Sequence, residues 1–340
     1  MFASDKQHPI NRILEGRPTT HVLCSSCQST TVYTVHPSPA SGEVKDDLAG
    51  RSIICAWETY QPSKPSKILI CDGVTTACVL TDKSHIVVCG TAEGVICLWD
   101  LREGRRLHIT ELSKSMGIPN TPLRYPSYST SHLTFGHMPH SSSIVGLAVS
   151  SAQLTSIDDR GMLTTWFISE TKGGKDGGGD EDVDADHGLG VSAGLKITQS
   201  RASWVSEAGL REVELNYLSV NAGSKDGGNA VGPEVTGMWD FPEGFHSNLF
   251  VVAKHGGRVL LCERFSGVVK PYFTESLGSS VTSVSMSKFV EGVFLVARDD
   301  RSVEVYRSTD SGVIMRWGAE CWGAETSSNG PIDVEWSAQR

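Results

Sequence analysis

The segment Cys89-Gly-Thr-Ala-Glu-Gly94-Val-Ile-Cys-Leu-Trp99-Asp100-Leu-Arg-Glu-Gly104 constrains this chain more than any other. It reads as a strand ending in Gly90, a tight turn around Ala92 to Gly94, and a second strand closing on Trp99-Asp100. Such a hairpin cannot bury its own apolar faces. One copy therefore predicts further copies at a fixed period.

Companions are found by aligning the chain on Trp99. Ser52-Ile-Ile-Cys-Ala-Trp57 places Trp57 in the equivalent position, and Asp158-Asp-Arg-Gly161-Met-Leu-Thr-Thr-Trp166 places Trp166 there. Gly257-Arg-Val-Leu-Leu-Cys262 and Arg301-Ser-Val-Glu-Val-Tyr306 supply two more copies, with Cys262 and Tyr306 at the aligned position. The successive spacings are 42, 67, 96 and 44 residues. Two equal one blade of a WD-type β-propeller, a unit of about 40–45 residues ending in Trp-Asp. The fold expected is all-β: five recognisable blades over residues 21–340, preceded by a disordered segment 1–20. Strands opening the blades are predicted at Val74–Leu80, Ser143–Val149, Glu234–Phe241 and Ser279–Met286. Pro331–Trp336 opens a sixth blade, so the chain reads as truncated from seven. Trp57, Trp99, Asp100 and Trp166 are expected to pack the blades, and His140 to hydrogen-bond within one.

The two long spacings have compositional causes. Gly104–Tyr128 is polar, contains proline and reads as a connecting loop. Residues 171–194 mix glycines with six acids between Asp176 and Asp186, a composition that cannot offset its own ordering entropy and is expected to be disordered. A glycine-rich loop at 221–232 adds to the same gap. The 96-residue spacing is then one blade with insertions, since loop closure costs grow only logarithmically with length.

Composition narrows the function. Hydrophobic residues make up 39% of the 340 and charged residues 20%, enough for a core. The net charge is −9, and setting aside the six clustered acids leaves −3. Without a basic stripe, nucleic acid is not an expected partner. No window approaches the apolar length that spans a membrane, so no membrane insertion is expected. Most of the nine cysteines sit inside apolar strand patterns, where free cysteine is a small buried hydrophobe. The chain reads as reduced and intracellular.

Candidate chemistry is sparse. Cys24-Ser-Ser-Cys27 has the spacing of half a zinc site, but no second pair follows, and a turn explains it. His132, His137 and His140 form an irregular cluster that suits blade hydrogen bonding better than a metal. Asp158-Asp159 and Asp299-Asp300 occupy equivalent turns, where aspartate caps backbone N–H groups. The acidic run at 176–186 lacks the alternation of a calcium loop. No phosphate loop, nucleophile elbow or dinucleotide fingerprint occurs, so no cofactor, metal or catalytic residue is expected. A propeller enzyme would need His137, His140, Asp158 and Asp299 to converge.

Three strings carry a closer resemblance: Trp57-x4-Pro62-Ser63-x-Pro65-x-Lys67-Ile-Leu-Ile-Cys71, Gly90-Thr-Ala-x-Gly94-x4-Trp99-Asp-Leu-Arg-Glu103, and Ser156-Ile-Asp-x-x-Gly161-x-Leu-x-x-Trp166. They resemble the dynein-2 intermediate chains, WD-repeat subunits of the retrograde intraflagellar transport motor. The resemblance implies a non-catalytic scaffold of the cytoplasm, cytoskeleton and cilium with its base. It implies as partners the dynein heavy chain, the other dynein-2 intermediate chain and dynein light chains. The arm that binds light chains in that family has no counterpart in the roughly twenty residues before the first blade. The alternative is a WD-repeat adaptor of another intracellular complex, including an intermediate chain of another dynein class.

Overall fold

The computed structural model describes residues 9–24, 30–38, 48–81, 85–102, 109, 114, 117–118, 121, 123–132, 140–170, 195–206, 209–212, 234–242, 244–246, 248–272, 278–322, 334 and 336. The regions 171–194 and 221–232 lie outside them. The described chain is built almost wholly of strands, arranged in five sheets of four or five strands. It divides into two compact units, Met1–Leu154 with Thr165–Ser200, and Thr155–Thr164 with Arg201–Arg340.

The first sheet runs β1 (His21–Cys24), β2 (Thr31–His36), β3 (Arg51–Glu58), β4 (Gln61–Asp72) and β8 (Leu123–Arg124). The second runs β5 (Thr75–Leu80), β6 (Ile86–Thr91), β7 (Ile96–Asp100) and β9 (Tyr128–Ser129). The third holds β10 (Ile144–Ser150), β11 (Gln153–Asp158), β12 (Met162–Glu170), β13 (Leu195–Ser206) and β14 (Gly209–Glu212). The fourth is β15 (Val235–Asp240), β16 (Leu249–Lys254), β17 (Val259–Glu263) and β18 (Val269–Tyr272). The fifth is β19 (Val281–Met286), β20 (Val293–Arg298), β21 (Val303–Arg307) and β22 (Val313–Trp317). Strands β5, β10, β15 and β19 open their sheets within a residue or two of the bounds read from sequence. Of Pro331–Trp336 only Val334 and Trp336 are described, and the Trp336 indole N–H donates to the Ser285 carbonyl at 3.0 Å.

Central strands are buried on both faces. In the first unit, Ile86, Val88, Ile96 and Leu98 join a core with Ile144, Leu154, Trp166 and Ile197. Their alternates Val87, Cys89, Cys97 and Trp99 join a core with Val35, Ile54, Ala56 and Leu69. The period of two thus sends successive residues of the second sheet to opposite neighbours. In the second unit, Val251, Ala253, Val259 and Leu261 meet Val281, Val284, Phe294, Val296 and Tyr306. Phe294 stacks on Tyr306, with ring centroids 5.3 Å apart.

Two local devices recur. A register shift after the first residue of β5, β15 and β19 marks a bulge at Thr76, Thr236 and Thr282. The Thr236 hydroxyl donates to the Ala253 carbonyl of the neighbouring strand at 3.3 Å, and that of Thr76 to the Ile144 carbonyl at 2.6 Å. The second device is the turn between second and third strands, at Thr91–Val95, Asp158–Met162, Lys254–Arg258 and Arg298–Ser302. The fourth residue of each turn is left-handed: Gly94 at φ 81°, Gly161 at 91°, Gly257 at 79° and Arg301 at 67°. Its N–H donates to the carbonyl of the first at 3.0–3.2 Å. At Gly94 and Gly257 space matters as well. A Cβ on Gly94 would stand 2.8 Å from the His140 carbonyl oxygen, and one on Gly257 would collide with that of Ser279.

Two expectations are corrected. Within the segment expected to be disordered, Ile10–Leu14 form a short helix, α1, with Ile10 and Ile13 buried against Leu48, Ile53 and Leu123. The apolar pair three residues apart gives it one packing face. The connecting loop expected at Gly104–Tyr128 ends in strands. β8 pairs in parallel with β4, Ile68 opposite Leu123, and β9 pairs with β7, Cys97 opposite Ser129. Two-residue strands carry no period, so their pairing is set by the sheets they complete.

The turn geometry gives a paired expectation. Gly257→Ala should destabilise the chain by at least about 2 kcal/mol, combining left-handed strain with the clash against Ser279. Gly256→Ala, at φ 82° with open space around it, should cost only about 1 kcal/mol. Urea unfolding of both variants checks this, and equal losses would refute the packing argument.

Candidate functional site

The residues aligned with Trp99 occupy one register position. Trp57 faces Val32, Trp99 faces Val87, Cys262 faces Phe250 and Tyr306 faces Phe294. Each partner is the second residue of its strand. Trp166 follows Gly161 on β12 as Trp99 follows Gly94 on β7. Trp99 and Trp166 point from their sheets into the cores shared with the preceding ones, and Tyr306 does the same toward the fourth sheet. All five side chains are buried.

Polar groups beside this position are engaged in different ways. The Trp57 indole N–H donates to the Thr34 hydroxyl at 2.7 Å, and that hydroxyl lies 2.9 Å from His36 Nε2. A hydroxyl that accepts from Trp57 can donate its own proton to Nε2, which requires a neutral imidazole. Burial, and then the charge of Arg17, push the His36 pKa down to about 4. Arg17 in turn donates to the Arg51 and Leu48 carbonyls at 2.6 and 2.9 Å.

Asp100 anchors the end of β7. Its Oδ1 accepts from the Arg102 backbone N–H at 2.9 Å and from Nε at 3.0 Å, while Oδ2 takes Nη2 at 2.9 Å. The Asp100 N–H donates to Ser127 Oγ at 2.9 Å, and Arg124 holds its carbonyl. Burial raises the carboxyl's pKa, but Arg102's hydrogen bonds and charge outweigh it and leave Asp100 below the usual range. His140 is fully buried at the entry to β10, its carbonyl over Gly94. His137, Cys27 and the acidic run lie outside the described residues, as do the side chains of His132 and Cys24.

The paired aspartates sit in equivalent turns but one residue out of step. Asp159 aligns with Asp299, while Asp158 aligns with Arg298. Asp158 Oδ1 accepts from the N–H groups of Arg160 and Met162 at 3.1 and 2.8 Å. Asp299 accepts from the Ser280 N–H at 2.9 Å, and Asp300 from the Ser302 N–H at 2.9 Å. These carboxylates cap backbone N–H groups, and Asp300 also accepts from the Ser302 hydroxyl at 2.6 Å and from Arg316 Nη2 at 3.3 Å.

Sequence reading missed a buried ion pair in the fifth sheet. Arg298 Nε donates to Glu304 Oε2 at 2.6 Å, with both side chains fully buried. The Tyr306 hydroxyl donates to the same oxygen at 2.8 Å, and Arg298 Nη1 donates to the Gly257 and Ser279 carbonyls at 2.8 and 3.2 Å. Burial, then the Glu304 charge, raise the Tyr306 pKa. The only signal in the sequence was a glutamate alternating with valines in Val303-Glu-Val, which reads as solvent-facing. Beside this pair a recess of about 380 Å³ is lined by Asp300, Ser302, Arg316, Gly318 and Glu320. Among the described residues no group of three or more His, Cys, Asp or Glu stands where it would hold a metal ion. No helix there is long and apolar enough to cross a membrane.

Among the described residues the chain thus forms five mostly antiparallel sheets, in which the polar groups named above bond to the fold itself. No family model matches it. Along its whole length it is similar to cytoplasmic dynein 2 intermediate chain 1. The mouse protein is 25% identical over 370 residues, covering 99% of this chain and 34% of the relative. The human protein is 23% identical over 368 residues, covering 100% and 32%. The chain therefore spans about a third of the length of these curated relatives. Among solved structures, a chain in the crystal structure of the mitotic checkpoint complex matches with a TM-score of 0.50 and 13% identity. That match covers 94% of this chain and 71% of the other, and it is a likeness of fold alone.

Two expectations follow from the buried polar groups. Glu304→Ala should cost about 3–5 kcal/mol, because it strands the Arg298 charge, while Arg298→Met combined with Glu304→Leu should recover most of that loss. Urea unfolding of both variants measures it. For His36 the folded pKa lies below the unfolded value of 6.5, so the unfolded state takes up the proton first as pH falls. Stability should drop by on the order of 2–3 kcal/mol between pH 6.5 and 4. His36→Gln should flatten that segment of a denaturation-versus-pH curve.

Proposed function

We propose that this chain is a WD-type β-propeller in which the five sheets are blades, acting as a non-catalytic scaffold subunit of a dynein-2 motor complex. The observation that carries the reading is the whole-length similarity to cytoplasmic dynein 2 intermediate chain 1. The geometry supports it from a second side. The aspartates that an enzymatic reading would recruit are spent on turn caps. In this reading residues 21–340 form the propeller domain, and Trp57, Trp99, Trp166, Asp100 and His140 are its packing residues.

The role follows from that placement. The propeller binds the dynein heavy chain and assembles with the second intermediate chain and the light chains. It works in the cytoplasm, on the cytoskeleton and at the cilium and its base, and it supports retrograde intraflagellar transport and cilium assembly.

The test is affinity purification of the tagged chain from ciliated cells. The expected result is co-purification of the dynein-2 heavy chain. Recovery of another dynein class, or of a motor-free set of partners, would overturn the reading in favour of an adaptor elsewhere.

A further inference from the structure

Three strands of the second sheet carry a row of cysteines. Cys78 on β5 stands directly opposite Cys89 on β6, and Cys89 stands directly opposite Cys97 on β7. Cys71 of β4 joins the same core from the first sheet. All are free thiols.

The two cross-strand pairs differ in geometry. The Thr81 N–H donates to the Ile86 carbonyl at 3.0 Å and closes a hydrogen-bonded pair at the end of the β5–β6 ladder. Pairs alternate along an antiparallel ladder, so counting back three positions makes Cys78–Cys89 a non-hydrogen-bonded pair, with Cα atoms about 4.5 Å apart. The Thr91 N–H likewise closes on Val95 at 2.9 Å. By the same count Cys89–Cys97 is a hydrogen-bonded pair, at about 5.5 Å. The sulfurs report the same difference. Cys78 Sγ lies 2.8 Å from Cys89 Sγ, whereas Cys97 Sγ faces the Ser129 hydroxyl at 3.7 Å.

We propose that Cys78 and Cys89 form a reversible oxidation site, a cross-strand dithiol that small disulfides of the glutathione class convert to a disulfide. Closure needs the two sulfurs to approach by only about 0.8 Å, to a bond of about 2.05 Å. Cys78 is half-buried and meets the oxidant, while Cys89 is fully buried and reacts only at close range. Burial and the neighbouring Cys78 raise the Cys89 pKa, so Cys89 is not the thiol that reacts first. In the first step Cys78 loses its proton to solvent, and its sulfur attacks one sulfur of oxidised glutathione. The glutathione S–S bond breaks, and one glutathione leaves as a thiolate that takes up a proton. Cys89 then attacks the Cys78 sulfur of the mixed disulfide. A second glutathione departs and carries away the Cys89 proton. Two cysteine thiols are oxidised and one glutathione disulfide is reduced to two thiols.

The test uses the full chain, purified under reductant, desalted and exposed to oxidised glutathione, then alkylated and digested with trypsin. The expected product has lost two hydrogens and links the peptide spanning 68–83 to the one spanning 84–102. Fragmentation should place the bond between Cys78 and Cys89. Cys78→Ser should abolish the link, and Cys71→Ser and Cys97→Ser should retain it. Cys89→Ser should stop the reaction at a glutathione adduct on Cys78. The wild-type map tests the site even where a variant fails to fold. A bond mapped to Cys71 or Cys97, or reaction only after denaturation, would overturn the proposal.

Discussion

Burial of the central strands on both faces is the constraint from which the rest of the structure follows. Strands β6 and β7 have no solvent-facing residue, and β3 has one partly exposed residue at each end. A sheet of this kind is stable only when another layer covers each face, as in a parallel sheet rather than in a half-exposed antiparallel one. The layers come from neighbouring sheets within each unit, so the strands of each sheet have to keep a fixed register. The repeated five-residue turns between second and third strands, with their left-handed fourth residue, hold that register. The same need explains the bulged threonines that bend the opening strand into register.

Interior polar groups are held to the same standard, because an unpaired one costs far more there than at a surface. Three of the sheets meet it locally for the groups named here. The first uses the Trp57–Thr34–His36 relay, the second the Asp100–Arg102 clasp, and the fifth the Arg298–Glu304–Tyr306 network. The position aligned with Trp99 is accordingly Trp, Trp, Trp, Cys and Tyr along the chain. Register position and burial are kept while residue identity drifts. A fold that keeps geometry in this way can share only 25% identity with a relative along 99% of this chain.

The strands were legible in sequence wherever the signal was local. The sequence from Gly94 to Trp99 carries its own turn and strand, and so does that from Gly161 to Trp166. What escaped was decided by distant partners. Leu123 is a strand residue because Ile68 is opposite it, and Ile10 is helical against Leu48 and Ile53. A glutamate between two valines, as Glu304 is, has the local pattern of an outward residue on an alternating strand. Its inward place depends on Arg298 six positions earlier, which one strand's pattern cannot reveal. The aspartate pairs were legible as turn caps, but not their exact places: Asp158 and Asp300 both cap turns, yet they stand at different turn positions.

The cysteines separate packing from chemistry. Cys71, Cys89 and Cys97 fill the core beside Trp99, where a free thiol packs as a small apolar group. Packing alone accounts for them. Cys78 is different, because it sits at the margin of that core, partly open to solvent, where volume imposes little on residue choice. Its alignment is instead set by the ladder, which brings it to the closest class of cross-strand pair with Cys89. The two-faced burial that makes the sheet stable thus also fixes one buried thiol beside one accessible thiol, the minimal arrangement for reversible disulfide exchange.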